Sequence, residues 1–330
     1  MASGDETAGR PFTICRADEA LPPRLRGGIA AIGNFDGVHR GHRVLAEAVR
    51  REAGDRPALV LTFEPHPRAF FAPDLPMFRL TGPRAKEIVF GRLGREGLLD
   101  GLMVRRFDAA LAGTGARAFV EGLLRSDLGL SGVVIGHDFH FGRRREGTPA
   151  VLAELCREMG LSCRIVEPVT LADEAEPISS SGIRRALAGG AVGRANALLG
   201  YRWFVLGHVR HGDKRGRTLG YPTANVALAD CDLAHGIYAV RVRLPDGAMR
   251  DGVASYGRRP TFDDGAPLLE VNLFDFAGDL YGQEIAVEFV AHIRGEERFA
   301  SAEALVARMD VDAAESRRLL AADRTPSMLD

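Results

Sequence analysis

Lysine is nearly missing from this chain of 330 residues: Lys86 and Lys214 stand alone among 43 Lys+Arg positions, and arginine fills the rest. A coding bias accounts for the preference, but it makes each surviving lysine informative, because a compact ammonium bonds differently from a planar guanidinium. An excess of charge of either sign is also lacking. Lys+Arg 43 against Asp+Glu 44 leaves a net charge of -1, which argues against nonspecific nucleic-acid binding, where a large positive excess is the rule. No run approaches the roughly 18 apolar residues of a membrane span. The first residues, Met1-Ala2-Ser3-Gly4-Asp5-Glu6-Thr7, hold two acids and no apolar stretch, unlike a secretory leader. The four cysteines (Cys15, Cys156, Cys163, Cys231) form no CxxC, as expected of a reduced, cytoplasmic protein.

What is present divides in two. At roughly 150 residues per domain the length fits two domains, and hydrophobic (46%) and charged (26%) contents are those of globular chains. Residues 1–12 read as a disordered tail. From Gly28, short apolar runs alternate with helical patterns: strands at 28–32, 58–63, 102–104, 133–135 and 163–166, helices at 43–49, 83–98, 115–128 and 149–159. Such alternation predicts a parallel sheet with its ligand site at the carboxyl ends of the strands. After about residue 200 the period falls to two, in 238–244, 269–274 and 285–290, with turns such as Pro245-Asp246-Gly247. That predicts an antiparallel barrel or sandwich, closed by a helix at 301–321. The expected boundaries are 13–186 and 187–330.

Chemistry-bearing residues cluster where strands end. Gly33-Asn34-Phe35-Asp36-Gly37-Val38-His39-Arg40-Gly41-His42 follows the first strand and opens a helix. His39 and His42 share one face of its first turn, and the small Gly41 lets a polyphosphate approach backbone N–H groups. Imidazoles there stabilise charge developing on phosphate. Metal ligation is the competing reading, though no third ligand has motif spacing. Thr62-Phe63-Glu64-Pro65-His66-Pro67 and Gly136-His137-Asp138-Phe139-His140-Phe141-Gly142 follow later strands and read equally well as packed loops. Ile178-Ser179-Ser180-Ser181-Gly182-Ile183-Arg184 begins another helix, with hydroxyls suited either to capping or, together with Arg184, to nucleotide phosphates.

In the second half, Gly212-Asp213-Lys214-Arg215-Gly216-Arg217 precedes Tyr221-Pro222-Thr223-Ala224-Asn225. The glycines and cations suit a phosphate. Thr223 and Asn225, two apart on extended chain, offer neutral oxygens for Mg²⁺. A solvated basic hairpin is the plain alternative, and the spacing is not that of a P-loop.

Taken together, GNFDGVHRGH, TFEPHP, RLT with Lys86, GHDFHFG and ISSSGIRRAL resemble the FMN adenylyltransferase half of bacterial bifunctional riboflavin kinase/FAD synthetases, over roughly residues 15–190. PTAN with HGIYA, GRRPTF, LEV, DLYG and the Ile293-Arg294 and Phe299 positions is similar to the riboflavin kinase half, over roughly 200–310. The resemblance implies a Rossmann-like α/β nucleotidyltransferase domain followed by an antiparallel kinase barrel with a C-terminal helix. It implies that His39 and His42 meet ATP phosphates at the transition state and that Asn34 and Asp36 shape their loop. Asp138 would bind nucleotide or flavin, while Ser180, Ser181 and Arg184 would hold the leaving pyrophosphate. In the kinase it implies phosphate binding by Gly212, Lys214, Gly216 and Arg217, Mg²⁺ at Thr223 and Asn225, a general base at Glu270 and flavin binding by Arg294. ATP is then the co-substrate, riboflavin and FMN are the partners, and FMN and FAD the products, with neither nucleic acid nor membrane involved and room for a weak homo-oligomer. Ser181, His140, Ser255 and Asn272 depart from the residues commoner in that family. Other acceptors, a pantetheine phosphate or a nicotinamide nucleotide, fit the first half but leave the barrel without a purpose. A flavin sensor without turnover fits the barrel but not so full a catalytic set.

Overall fold

The structure, a computed structural model, describes residues 11–17, 19–172, 175–211, 221–228, 230–258 and 267–330. They form two compact units: the chain up to Pro76 with Lys86–Ile178, and Met77–Ala85 with Ser179–Asp330.

The first unit is built on six parallel strands, β1 (Thr13–Arg16), β2 (Ile29–Ile32), β3 (Ala58–Glu64), β4 (Gly101–Arg106), β5 (Gly132–Gly136) and β6 (Ser162–Val166), in the order β1-β4-β3-β2-β5-β6. Every residue of β2 is buried, as is most of β3, which is why their sequences read as unbroken apolar runs and not as alternation. Helices α1 (Arg40–Ala53), α2 (Pro67–Phe71), α3 (Pro83–Arg95), α4 (Ala109–Gly113), α5 (Ala116–Ala118) and α6 (Pro149–Glu158) connect them. The helical stretch expected at 115–128 runs on from α5 as a π-helix, Phe119–Asp127. The helix expected at 43–49 starts earlier, at Arg40, so that His39 becomes its N-cap. Because β2 is flanked by β3 on one side and β5 on the other, the strand order reverses between β2 and β5. In open parallel sheets a ligand crevice forms at that point, beyond the strand carboxyl ends.

The second unit holds α7 (Ser180–Ala188), α8 (Val192–Leu199), six antiparallel strands and the long α9 (Ala302–Ala322). The strands β7 (Phe204–Arg210), β8 (Ala224–Ala227), β9 (Gly236–Arg243), β10 (Met249–Arg258), β11 (Pro267–Leu273) and β12 (Glu284–Arg294) close into a barrel, β10-β11-β8-β7-β12-β9. In β9, Val240 and Val242 are fully buried while Arg241 and Arg243, each following one of them, are partly exposed, which is the period of two seen in the sequence. α9 lays Leu320 against Ala239, Phe274 and Val290, and the buried Ser316 hydroxyl donates to the Gly252 carbonyl (2.9 Å). Buried polar groups join α8 to the barrel: the Asn196 amide donates to the Phe289 carbonyl (2.9 Å) and its oxygen accepts from the Trp203 N–H (2.8 Å). The α/β unit followed by a closed antiparallel barrel and a terminal helix is the architecture expected from the sequence.

Candidate active sites

In the first unit, the turn between β2 and α1 is shaped by unusual backbone. Phe35 (φ 49°), Gly37 (φ 91°) and Val38 (φ 41°) all lie in the left-handed region. For a β-branched residue such as Val38 that conformation is costly, and such strain persists where surrounding contacts fix it. Phe35 is buried and packs edge-on against both His42 (5.1 Å) and Phe90 of α3 (5.4 Å). His39 and His42 then stack, ring centroids 3.7 Å apart and planes within 17°. Nδ1 of each is buried with no hydrogen-bond partner among the described residues. Burial pushes the His39 imidazole down to about 4, against the nearby Asp36 and Asp138 carboxylates, which act to raise it. His42 is held well below its ordinary value, by desolvation first and then by His39 and Lys86. Both rings are therefore neutral at pH 7. They stand at the start of α1, where the first backbone N–H groups have no helical acceptor and the helix dipole favours an anion.

Asn34, Asp36 and Asp138 belong to the same neighbourhood. Asn34 is exposed at the turn, and its backbone carbonyl accepts from Lys86 Nζ (2.9 Å) and Thr62 Oγ1 (3.3 Å). Asp36 is buried, and Asp138 is exposed in the loop after β5. Among the described residues no group of three or more His, Cys, Asp or Glu side chains is arranged to hold a metal.

In the second unit, α7 divides the work of its serines. Ser179 is the N-cap, its hydroxyl accepting from the Gly182 N–H (3.1 Å), so capping occupies Ser179 and not Ser180 or Ser181. Arg184, one turn further on, donates from Nε to the Phe78 carbonyl (2.7 Å), which fixes the stem of its guanidinium.

The barrel gathers its own set by register. Arg210, Asn225, Glu270, Ser255, Ile237 and Arg294 pair directly across successive strands, β7, β8, β11, β10, β9 and β12. Direct partners have Cβ atoms about 4.5–5.5 Å apart on one face, so Glu270 has Asn225 on one side and Ser255 on the other. The neighbouring Val226 and Leu269 are fully buried and face the barrel core, which turns Asn225 and Glu270 to the other face. Asn225 is buried, and its Oδ1 has no hydrogen-bond partner among the described residues. An orphaned neutral oxygen beside a carboxylate fits a hard divalent cation such as Mg²⁺, with Thr223 two residues away as the second neutral donor. Tyr221 donates its hydroxyl to Asp310 of α9, and Asn272 Nδ2 donates to the Pro222 carbonyl (2.8 Å), so both ends of the Tyr221-Pro222 step are held. Asn272 was visible in the sequence only as a departure from a commoner histidine. Arg294 is gripped by Asp312 of α9, through contacts of 3.0, 3.1 and 2.7 Å, with Phe299 under its guanidinium. Gly212, Lys214, Gly216 and Arg217 lie outside the described residues.

Comparison with known proteins matches this division. A family model described as FAD synthetase matches residues 21–182, and one described as riboflavin kinase matches residues 199–320. A bifunctional riboflavin kinase/FMN adenylyltransferase of Pseudomonas fluorescens is 40% identical over 312 residues, covering 93% of this chain and 98% of its own length. The chain belongs to the bifunctional riboflavin kinase/FMN adenylyltransferase family. The Escherichia coli K12 member is 39% identical over 289 residues (87% of this chain, 90% of that one). A solved structure titled as a macrolide-efflux protein from Streptococcus pneumoniae is 31% identical, with TM-score 0.79 over 93% of this chain and 99% of that one. Among the described residues here, no helix is long and apolar enough to cross a membrane.

Proposed function

We propose that the two reactions of the family divide between residues 13–186 and 187–330 of this chain. In the barrel, riboflavin and ATP become FMN and ADP: the Glu270 carboxylate takes the proton of the ribityl 5′-hydroxyl as that oxygen attacks the γ-phosphate. Thr223 and Asn225 would hold Mg²⁺, which when bound offsets charge on the ATP phosphates. Gly212, Lys214, Gly216 and Arg217 would line the phosphates, and Arg294, oriented by Asp312, would face the flavin. In the α/β unit, a phosphate oxygen of FMN attacks the α-phosphate of ATP, giving FAD and pyrophosphate. His39 and His42 donate hydrogen bonds to the phosphate oxygens as charge grows on them, and backbone N–H groups at the start of α1 add to this. Asn34 and Asp36 shape that loop and Asp138 contacts nucleotide or flavin. Ser180, Ser181 and Arg184 hold the departing pyrophosphate. Neither reaction needs a covalent intermediate, so positioning and electrostatics supply the rate. The same reading has a cytoplasmic enzyme working on small soluble molecules, consistent with a net charge of -1.

The observation that carries this reading is the pairing, in one chain, of two polar centres of unlike chemistry: stacked neutral imidazoles at a helix start, and a carboxylate beside an orphaned amide oxygen on a barrel rung. The test is chromatography of riboflavin, FMN and FAD after incubation with ATP and Mg²⁺. The wild-type protein should form FMN first and FAD after it. His42→Ala should slow FAD formation from supplied FMN by about 10²–10³-fold and leave FMN formation intact, and Glu270→Gln should do the reverse, by about 10²–10⁴-fold. One variant stopping both reactions with the fold intact would overturn the division.

A further inference from the structure

Lys86 is buried where a cation is poorly placed. Its side chain is 2% exposed, and it lies in the first turn of α3, the end of a helix whose dipole repels positive charge. A buried ammonium is expensive to desolvate, and a well-packed apolar residue would serve the fold as well or better. Yet this is one of two lysines in a chain that uses arginine everywhere else. Its contacts explain the choice. Nζ donates to the Asn34 carbonyl (2.9 Å), to Thr62 Oγ1 (3.3 Å) and to Glu64 Oε1 (2.9 Å). Those acceptors come from two segments, the turn after β2 and the carboxyl end of β3. A point-like ammonium with three donors joins them, whereas a planar fork of five does not fit a cluster of that shape. One turn further along α3, Phe90 presses on Phe35, whose ring meets His42. Lys86 and Phe90, at i and i+4 on one helix face, thus fix the same turn, one through its backbone and one through its aromatic ring.

We propose that Lys86 is a positioning residue for adenylyl transfer: its ammonium pins the Gly33–His42 turn to the end of β3 and so sets the stacked geometry of His39 and His42. The role rests on the reading of that turn as the adenylyltransferase site. Lys86 touches no reacting atom; it acts through the Asn34 carbonyl. It also has an electrostatic consequence. The charged groups acting on the imidazole pair are Asp36 of the turn and Asp138 of the loop after β5 on His39, and His39 and Lys86 on His42, where the Lys86 charge opposes protonation. Removing it makes His42 easier to protonate.

The experiment compares Lys86→Met, Lys86→Arg and the double variant Lys86→Met/Glu64→Gln, in which the carboxylate left behind is neutralised as well. FMN-to-FAD and riboflavin-to-FMN turnover are measured on the same full-length preparations, with melting temperature and histidine titration by NMR. The expected result is a double variant that melts close to wild type and phosphorylates riboflavin at the wild-type rate. Its kcat for FAD formation should fall by about 10²-fold, the size of loss that a misplacement near 1 Å produces, with KM for ATP changed less than about threefold, since the histidine contacts form in the transition state. Lys86→Arg should not rescue, and His42 should titrate at higher pH than in wild type. FAD formation within about threefold of wild type in the folded double variant, rescue by arginine, or an unmoved His42 titration would each overturn the role of Lys86. Wild-type protein that makes FMN but no FAD would overturn the reading of the turn itself, and the role of Lys86 with it.

Discussion

Gly41 has no side chain because His39 lies where one would stand. A Cβ there would meet Cε1 and Nδ1 of the His39 ring, each at 3.1 Å, so the ring must give by a few tenths of an ångström to admit it. Gly41→Ala should therefore tilt His39 off His42 and lower FAD formation from FMN by about tenfold, leaving riboflavin phosphorylation unchanged, as stopped-time chromatography of both reactions would read. The histidine pair and this glycine were legible in the sequence, since a spacing of three at a helix start puts both rings on one side. Lys86 was legible as a rarity and as part of a resembling motif, but its role was not, because its partners Asn34 and Thr62 are 52 and 24 residues away and no local pattern links them. The function of Asn272 was hidden for the same reason: its partner, the Pro222 carbonyl, is on another strand's approach, 50 residues back.

At the scale of elements, apolar runs announced β2, β3 and β5 because both faces of a central parallel strand are covered. β1 escaped notice: it is four residues long, with one buried residue, Cys15. β6 sits at the edge of the sheet and is largely exposed, yet its short run at 163–166 was enough to mark it as a strand. β10 was obscured by Arg250, Asp251 and Gly252, whose polar and small side chains break the alternation although their backbone pairs with β9. α9 was expected as a lid on the barrel, but its hold on Arg294 and Tyr221 was not. Its Asp312 is buried and accepts from Nε and Nη2 along one edge of the Arg294 guanidinium, and its Asp310 accepts from Tyr221. Asp312→Ala takes from the guanidinium its short carboxylate contacts and leaves it the Gly295 carbonyl and, at 3.7 Å, Glu297. It should lower kcat/KM for riboflavin phosphorylation about tenfold and destabilise the second unit by about 3–5 kcal/mol, measured by kinase assay and urea unfolding, with FAD formation from supplied FMN unaffected.

For the molecule as a whole, the change of texture near residue 200 was enough to foresee two architectures. It did not reveal that Met77–Ala85 groups with the later unit, where Trp203 stacks edge-on to Phe78 (5.7 Å) and donates from Nε1 to the Leu80 carbonyl (2.9 Å). Such contacts join residues more than 120 apart and leave no periodic trace. The units should also differ in their response to acid. A histidine whose folded value lies below its unfolded value favours the fold fully above the unfolded value, and that contribution is lost as pH falls toward the folded one. For His39 the window runs from its ordinary 6.5 to about 4, worth roughly 3 kcal/mol at one pH unit per 1.4 kcal/mol, and His42 acts in the same direction. The urea concentration that abolishes FAD formation after brief exposure should accordingly drop between pH 7 and pH 5. In His39→Phe protein, the unfolding midpoint of the first unit should be flatter across that range.

The barrel closes through β12, which pairs with β7 on one side and β9 on the other. Until the ribosome has synthesised Glu284–Arg294, both of those strands hold an unpaired row of backbone donors and acceptors, an invitation to a neighbouring nascent chain. All six strands of the parallel sheet, by contrast, have been made by Val166. A message cut short before Arg294 would thus yield a sticky, unclosed sheet and not a weakened kinase, so the cell's protection against aggregation must bridge the interval between β7 and β12.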